Sequence, residues 1–322
     1  MPAFMYVIFG ILFALCFTVL LISYICYRKV FYSPPRIPLK EDEYESPPGE
    51  IYEEYRDSMV AWMKETRAMP CQQFSITSFD GLTLRGKYYE YEKGAPIELL
   101  FHGYQGNAER DLCGAAQRCF SLGRSALLID QRASGESDGH VISFGINERK
   151  DCLRWIDFVI EKFGEEQIIM LGGVSMGGAT ALMTAGEKLP KNVVCALGDC
   201  SYSSAKEIIS KIVKEMGLPP ALAYPFIKLG AKLFGKFNLD ETSPLKAMET
   251  CEIPVLLFHG DVDDFVPYEM SEKIYAACHT KKRLVTVKGA GHGLAYPKDK
   301  DGYIQALKEF EKECGYQTKQ GV

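Results

Sequence analysis

The chain has 322 residues, of which 47% are hydrophobic and 25% are charged, a balance that is typical of a folded globular protein and excludes a disordered or fibrous one. Its formal net charge of -5 excludes the strongly basic surface that gathers nucleic acid. The eleven cysteines include no C-x-x-C pair and have no histidine at metal-ligand spacing, so we expect buried free thiols, no metal and no other cofactor.

An uncharged apolar segment opens the chain. Residues 1–27 carry no charged side chain, and residues 6–27 form a run of 22 that is long enough to cross a bilayer as a helix. A cleaved secretory signal is the alternative, but no basic residues precede the run and no small-residue cleavage site follows it. We therefore predict a retained transmembrane anchor over residues 1–31.

The charges beside this segment predict its orientation. No lysine or arginine precedes it, whereas four follow it closely: Arg28, Lys29, Arg36 and Lys40. Because positive charge stays on the cytoplasmic side of a membrane helix, we expect a single-pass protein whose C-terminal part lies in the cytoplasm. Buried free thiols agree with that reducing compartment.

Two further segments precede the first predicted strand. Residues 32–50 predict a semi-rigid linker, because they hold five prolines among acidic residues: Pro34, Pro35, Pro38, Pro47 and Pro48. Residues 51–70 predict a helix that packs on the domain, because four apolar residues share one face: Tyr55, Met59, Val60 and Met63. We expect one large domain over residues 51–322.

Strand and helix patterns alternate along the rest of the chain. Residues 72–78 and 82–91 have the pattern of two strands joined at an Asp-Gly turn. Six short apolar runs separated by helical patterns follow: residues 97–103, 126–130, 168–175, 193–199, 254–260 and 283–289. These runs indicate a parallel sheet with helices on both faces. Residues 203–249 contain helical patterns only, so we expect a helical cap that lies over the C-terminal edge of the sheet and walls the pocket.

A candidate nucleophile follows the third of these runs. Residues 173–177, Gly-Val-Ser-Met-Gly, come after a buried-strand pattern and open a helical one. A serine nucleophile needs this arrangement, because a sharp strand-to-helix turn exposes its hydroxyl and glycines on both sides relieve crowding. We predict that Ser175 is the nucleophile of a serine hydrolase.

A serine hydroxyl needs a base, which follows the serine in chain order in this type of site. Two of the five histidines precede Ser175 and are excluded as the base: His102 and His140. His259 lies at a strand end, which favours a structural role, and His279 lies in a polar stretch, which favours exposure. His292 lies in a Gly-Ala-Gly-His-Gly loop after the penultimate element, and we predict that it is the base.

An acid that orients the histidine should lie on the loop after the preceding strand. Residues 259–267 offer three carboxylates there: Asp261, Asp263 and Asp264. The spacing alone does not choose among them, and the other two would be loop-capping or solvated residues.

An oxyanion formed on the substrate needs backbone N–H donors. We expect one from Met176, directly after the nucleophile. The second is expected from the loop over residues 101–107, where Tyr104 follows a His-Gly pair. Both residues would act through their main chain.

These motifs resemble the α/β-hydrolase superfamily, in the prolyl-oligopeptidase-like esterase branch that includes membrane-anchored bacterial hydrolases. The resemblance covers residues 72–314 and rests on ordered motifs: residues 78–81, 102–103, 130–137, 173–177, 199–202, 260–267 and 291–293. It implies a mostly parallel eight-stranded sheet, and it assigns the triad acid to Asp263, the aspartate of the Gly-x-x-Asp-x-x-Val-Pro stretch. It also implies that Asp130 and Arg132 are structural, and we interpret Asp199 and Tyr202 as residues that shape the cap entrance.

The main hypothesis is a carboxylesterase-like serine hydrolase that cleaves an ester or related acyl bond. A serine peptidase or aminopeptidase on the same triad is the first alternative, although nothing in the sequence encodes the propeller that peptidases of this branch usually add. A non-catalytic, membrane-tethered binding module is the second, but all three triad positions are filled. The expected partners are a small ester or acyl substrate and, through residues 6–27, the membrane; the sequence identifies no protein partner.

Overall fold

The structure is a computed structural model that describes residues 3–34, 40 and 42–315. The middle of the predicted linker, residues 35–39 and 41, lies outside the described residues, and Pro35 and Pro38 lie there with it. Residues 1–2 and 316–322 are also outside them.

The N-terminal apolar segment forms one helix, α1 (Ala3–Val30), whose length and composition fit a membrane span or a signal anchor. Nearly all of its side chains are exposed, and the two that are buried, Ser23 and Tyr27, lie near its C-terminal end. The helix therefore stands clear of the domain over most of its length and packs on protein where it ends. Lipid would cover the remaining apolar side chains if the helix spans a bilayer.

Eight strands form one sheet: β1 (Gln72–Thr77), β2 (Thr83–Tyr89), β3 (Ile97–Phe101), β4 (Ser125–Asp130), β5 (Ile169–Val174), β6 (Val193–Asp199), β7 (Val255–Gly260) and β8 (Lys282–Val287). Their order is β1-β2-β4-β3-β5-β6-β7-β8, in which β2 is antiparallel to both of its neighbours and every other pair is parallel. This confirms the predicted α/β-hydrolase fold. Strands β3 and β7 are buried throughout, as expected where helices cover both faces of a sheet.

The remaining α-helices are α2 (Arg56–Ala68), α3 (Ala108–Asp111), α4 (Ala115–Ser121), α5 (Glu148–Phe163), α6 (Met176–Ala185), α7 (Ala205–Glu215), α8 (Pro220–Leu233), α9 (Pro244–Ala247), α10 (Tyr268–Ala277), α11 (Ala295–Lys298) and α12 (Lys300–Cys314), and a 3-10 helix, Glu50–Tyr55, precedes α2. Neighbouring residues of β6 pack in different hydrophobic clusters. Ala196 packs with side chains of α5 and α6, and Leu197 packs with side chains of α2 and α12. Because successive strand residues point to opposite faces, helices cover the sheet on both sides.

The predicted helical insertion contains α7, α8 and α9, and its second helix packs against the end of α1. The two helices approach so closely at Gly230 that a Cβ there would lie 2.4 Å from the carbonyl oxygen of Ser23. Next to this crossing, the ring of Phe234 lies 5.1 Å from that of Tyr24. The insertion therefore holds the C-terminal end of α1 against the domain.

The residues directly after α1 are also fixed to the domain. Phe31 is fully buried, and its carbonyl accepts a hydrogen bond from the N–H of Ile142 at 2.8 Å. The N–H of Ser33 donates to the carbonyl of His140 at 2.9 Å. The first described residues of the predicted linker thus pair with the domain instead of acting as a spacer.

Candidate active site

Ser175 lies in the turn between β5 and α6, with a φ of 55° that few residues other than glycine adopt. A Cβ at Gly173 would lie 2.3 Å from the carbonyl carbon of Gly177, and one at Gly177 would lie 1.9 Å from the carbonyl oxygen of Phe101. Side chains at either glycine would collide with the backbone. The close approach of strand and helix therefore requires the Gly-x-Ser-x-Gly pattern, and it leaves the serine side chain at the tip of the turn.

The structure brings Ser175, His292 and Asp263 into one hydrogen-bonded line. His292 Nε2 lies 3.0 Å from Ser175 Oγ, and His292 Nδ1 lies 2.8 Å from Asp263 Oδ2. Ser175 and Asp263 are buried, whereas the His292 side chain keeps a small exposed fraction. With a proton on Nδ1 donated to the carboxylate, Nε2 can accept the proton of the serine hydroxyl.

Asp263 is held as an ionised carboxylate. Its Oδ1 accepts the N–H groups of Phe265 at 3.0 Å and Val266 at 2.8 Å. Burial alone would raise the pKa of Asp263, but hydrogen bonds from His259 and His292 outweigh it and hold the pKa well below its usual range. A fixed negative charge beside His292 favours the imidazolium that forms when the base takes a proton.

His259, for which the sequence favours a structural role, lies beside Asp263. It is fully buried, its Nε2 lies 2.8 Å from the carbonyl oxygen of Val266 and 3.3 Å from Asp263 Oδ2, and its Nδ1 lies 2.6 Å from Ser271 Oγ. The carbonyl can only accept, so a neutral His259 carries its proton on Nε2. His259 therefore positions Asp263, and its place directly before Gly260 at the end of β7 was the one sequence signal for this role.

The loop after β3 lies beside the nucleophile and is fixed by His102. The buried ring of His102 donates from Nδ1 to the carbonyl of Gly103 at 2.8 Å and accepts the N–H of Gln131 at 3.0 Å through Nε2. A Cβ at Gly103 would lie 3.7 Å from that of Ser175. The predicted oxyanion residue Tyr104 follows at once and lines the same cavity as Ser175, and Met176 is the first residue of α6, directly after Ser175.

Among the described residues, the other candidates from the sequence form no hydrogen bond to the side chains of Ser175 or His292. His279 is exposed, and the ring of His140 stacks on that of Tyr32 at 5.8 Å. Asp261 Oδ1 accepts the N–H of Gly289 at 2.6 Å, which ties two loops together. Asp264 is exposed. Of the three carboxylates that the spacing left open, Asp263 is the one that contacts His292.

One possible metal-ligand set overlaps this site. Cys200, Asp263 and His292 each offer a ligand atom, and these atoms lie within 4.8 Å of one another. Zinc accepts sulfur, nitrogen and oxygen ligands. The sulfur must be a thiolate, and each ligand atom must have a free lone pair. Burial raises the pKa of the Cys200 thiol well above its usual value, and Asp263 and His292 already bond to each other. The set fits a hydrogen-bonded triad better than a metal centre.

Ser175 and His292 open into a cavity of about 560 Å³. Residues 47–52, which are mostly exposed, contribute to its lining, and so does the exposed side chain of Phe265. None of the described residues 203–249 lines it, so the expectation that the helical insertion walls the pocket is wrong: α8 packs on α1 instead, and the end of the linker takes that place. A larger groove of about 770 Å³ follows β1 and β2 and contains none of the predicted site residues.

Comparison with known proteins places this chain in a family. Residues 143–316, more than half of the chain, match the prolyl oligopeptidase family. The chain is 27% identical over 238 residues to the Bacillus subtilis protein YqkD, whose function is uncharacterised, and the match covers 74% of this chain and 78% of that protein.

Solved structures show the same fold. An esterase of Pyrococcus furiosus superposes with a TM-score of 0.64 at 20% identity, covering 88% of this chain and 98% of that one. Est1E of Butyrivibrio proteoclasticus, solved with ferulic acid bound, superposes with a TM-score of 0.57 at 20% identity, covering 74% of this chain and 98% of its own. At these identities the likeness concerns the fold.

Proposed function

The chain belongs to the prolyl oligopeptidase family of α/β-hydrolases, and we propose that it cleaves carboxylic esters through an acyl-enzyme on Ser175. The observation that supports this most directly is the line of hydrogen bonds from Asp263 through His292 to Ser175, at 2.8 and 3.0 Å. Buried groups in this order are what a serine nucleophile needs, because the base must be both within reach and fixed in one tautomer.

In the acylation step, Ser175 Oγ attacks the ester carbonyl while its proton passes to His292 Nε2. The carbonyl π electrons move to oxygen, which becomes the oxyanion of a tetrahedral intermediate. When that intermediate collapses, the bond from the carbonyl carbon to the alcohol oxygen breaks, and His292 returns its proton to the leaving alcohol. Asp263 stays ionised throughout and stabilises the imidazolium.

The oxyanion would be held by the main-chain N–H groups of Tyr104 and Met176. The N–H of Ser175 itself already donates to the carbonyl of Asp199 at 2.8 Å, so it is not available for this purpose. Met176 begins α6, where a backbone N–H has no acceptor within its own helix and the positive end of the helix dipole favours negative charge.

Deacylation repeats these steps with water as the nucleophile. His292 Nε2 takes a proton from the water while the water oxygen attacks the acyl carbonyl. When the resulting tetrahedral intermediate collapses, the bond from the carbonyl carbon to Ser175 Oγ breaks, and His292 returns the proton to Ser175 Oγ. The products are a carboxylic acid, an alcohol and the regenerated hydroxyl of Ser175.

Peptide hydrolysis on the same triad is the second candidate, because the matching family is named for a peptidase. The described residues before β1 are helices and connecting segments, and they contain no propeller that would select peptides by size. Leaving groups separate the two candidates. We expect turnover of short p-nitrophenyl esters and little or none of aminoacyl p-nitroanilides, whereas faster anilide turnover would favour the peptidase.

A fluorophosphonate probe tests the nucleophile in the full-length protein in detergent. We expect the probe to label the wild type and not Ser175→Ala, with Ser201→Ala as a matched serine control that keeps the labelling. Ser201 is buried and lies outside the cavity. Equal labelling of wild type and Ser175→Ala would contradict the proposed nucleophile.

The proposal includes a membrane-anchored enzyme whose hydrolase domain lies in the cytoplasm. It is supported by the apolar helix α1 and by the basic residues that follow it, Arg28 and Lys29. Cys71 is exposed on the domain and offers a reporter of sidedness. A membrane-impermeant maleimide should reach Cys71 only after the cells are permeabilised, and labelling in intact cells would place the domain outside.

A further inference from the structure

The lining of the cavity beside Ser175 includes three buried polar side chains with unsatisfied atoms. Within the described part of the chain, Arg118 Nη1, Asp199 Oδ1 and Tyr296 Oη have no hydrogen-bond partner. All three residues line the same cavity as Ser175, and their exposed fractions are 4%, 7% and 8%. A buried polar group without a partner destabilises the folded protein, so three in one place call for an explanation.

These side chains meet around Tyr303. The guanidinium carbon of Arg118 lies 5.9 Å from the centre of the Tyr303 ring, and the Tyr296 ring lies 5.5 Å from it. The Tyr303 hydroxyl stabilises the ionised form of Asp199. Helices α4, α11 and α12 and strand β6 therefore contribute to one polar cluster, which we call the polar end: Arg118, Asp199, Tyr296 and Tyr303.

The polar end is close to the nucleophile. Asp199 pairs in register with Val174, the residue before Ser175, and neighbouring strands lie about 4.8 Å apart. Apolar side chains, among them Leu100, Leu197 and Met59, line the same cavity. An acyl group esterified to Ser175 would therefore cross an apolar stretch of a few carbons before it reaches the polar end.

The charges around the polar end disfavour an anionic ligand group. Arg118 and Arg124 both bond to Glu98, at 2.6 and 2.8 Å, and Arg124 also pairs with Glu311. These two cations balance these two carboxylates, which leaves Asp199 as the additional acid. A carboxylate on the ligand would add a second uncompensated negative charge to a buried site.

The unsatisfied donors and acceptors of the polar end indicate which ligand group would bind there. Arg118 Nη1 can only donate, an ionised Asp199 can only accept, and the Tyr296 hydroxyl can do either. A hydroxyl or carboxamide satisfies such a set, because each both donates and accepts. We propose that the polar end binds a hydroxyl or carboxamide on the acyl part of the substrate, an inference that rests on the ester hydrolysis proposed for Ser175.

Matched substrates test this proposal in the full-length protein. We would compare p-nitrophenyl hexanoate with its ω-hydroxy, ω-amino and ω-carboxy derivatives. One or two hydrogen bonds in the cavity should raise kcat/KM for the ω-hydroxy ester about tenfold over that of the plain ester. The ω-carboxy ester should be the poorest of the four. A wild type that hydrolyses all four esters without a preference for the hydroxyl overturns the inference and leaves the proposed esterase activity intact.

Two variants test whether the preference for the ω-hydroxy ester arises at the polar end. Asp199→Asn and Tyr296→Phe should each reduce the ratio of the two kcat/KM values several-fold. Tyr202→Phe is the matched control, because its hydroxyl is likewise buried without a partner in the described structure but lies outside the cavity. The ratio should be unchanged in Tyr202→Phe, and a preference that survives in both cavity variants contradicts the proposal.

A binding measurement separates this inference from the chemistry. The esters methyl hexanoate and methyl 6-hydroxyhexanoate can be titrated into Ser175→Ala, which removes the nucleophile and leaves the polar end in place. We expect the hydroxylated ester to bind about tenfold more tightly. Equal affinities would overturn the inference whether or not the wild type hydrolyses esters.

Discussion

The two ends of one cavity differ in how their polar groups are satisfied. At the catalytic end, Ser175, His292 and Asp263 bond to one another, and both oxygens of Asp263 have partners. At the polar end, Arg118 and Asp199 each keep one polar atom without a partner among the described residues. The catalytic end is therefore complete without a ligand, whereas the polar end becomes complete only when a ligand supplies the missing bonds.

This difference separates chemistry from recognition. Preorganised bonds at the catalytic end keep the base and the acid in place before a substrate arrives, which lowers the barrier of the reaction itself. Polar groups without partners at the polar end make the protein less stable, but a substrate that forms hydrogen bonds to them binds more tightly. Substitutions at the two ends should consequently change different quantities, namely turnover at one and stability or substrate preference at the other.

The largest effect should follow from removing the nucleophile. We expect Ser175→Ala to lower kcat for p-nitrophenyl esters by at least about four orders of magnitude, because the remaining groups cannot form an acyl-enzyme. Its unfolding temperature should stay near that of the wild type, which a thermal melt would show. Residual turnover within tenfold of the wild type would mean that another residue attacks the ester.

The next effect concerns the acid. Asp263→Asn should lower kcat by about 100- to 10,000-fold, because an amide no longer stabilises the imidazolium of His292 and permits the wrong tautomer. Asp261→Asn is the matched control. Its side-chain oxygen can still accept the N–H of Gly289, so turnover should remain within a few-fold of the wild type. Steady-state kinetics on both variants provide the measurement. If Asp261→Asn lowered kcat more than Asp263→Asn, the assignment of Asp263 as the acid would be wrong.

The polar end predicts an effect on stability. Burial raises the pKa of Asp199 from its ordinary value of 3.8 to about 6. Its contribution to stability is thus fully present below about pH 4 and is lost as the pH rises through about 6, because the unfolded chain gives up the proton first. Asp199→Asn should remove this decline, with a gain in unfolding free energy of up to about 3 kcal/mol above that range and none below it.

Thermal melts of the full-length wild type and Asp199→Asn across this range of pH provide the measurement. The difference between the two stability curves should grow between about pH 4 and 7 and then level off. Curves that run parallel over the whole range would show that Asp199 ionises equally easily in the folded and unfolded chain.

The smallest effect concerns the C-terminal end of α1. The hydroxyl of Tyr104 donates to the carbonyl of Val30 at 2.8 Å, so the predicted oxyanion loop is bonded to α1. Tyr104→Phe should lower the free energy of unfolding by about 1 kcal/mol and slow ester turnover a few-fold. Tyr32→Phe is the control, because it keeps the aromatic ring that stacks on His140, and it should change neither the unfolding free energy nor the turnover. If Tyr32→Phe lowered both quantities as much as Tyr104→Phe, the hydrogen bond to Val30 would have no special role.

Much of the fold and of the triad follows from local sequence. The apolar runs predict the sheet, the glycines around Ser175 predict the sharp turn, and chain order together with the glycine-rich loop at 289–293 selects His292 from five histidines. These signals are local because each depends on a strand end or a tight turn. Three neighbouring carboxylates carry no such signal, so the choice of Asp263 needed the family resemblance.

The polar end could not be predicted, because it joins residues from distant parts of the chain. Arg118, Asp199 and Tyr296 come from three elements and meet only when the sheet has formed. Asp199 was interpreted as part of a cap entrance, but it lines the cavity on the face covered by α2 and α12. The docking of α8 on α1 was missed for the same reason: Gly230 gives no hint in the sequence of the helix it will contact.

The central claim, covalent catalysis by Ser175, is tested most directly by trapping the acyl-enzyme. The full-length protein would be mixed with excess p-nitrophenyl acetate, quenched in acid during turnover, digested and examined by mass spectrometry. We predict an acetyl group on Ser175 in the wild type, with no acetylated Ser175 peptide from the variant His292→Ala. An acetyl group on a different residue, or turnover with no acetylated Ser175 at any time point, would contradict the mechanism.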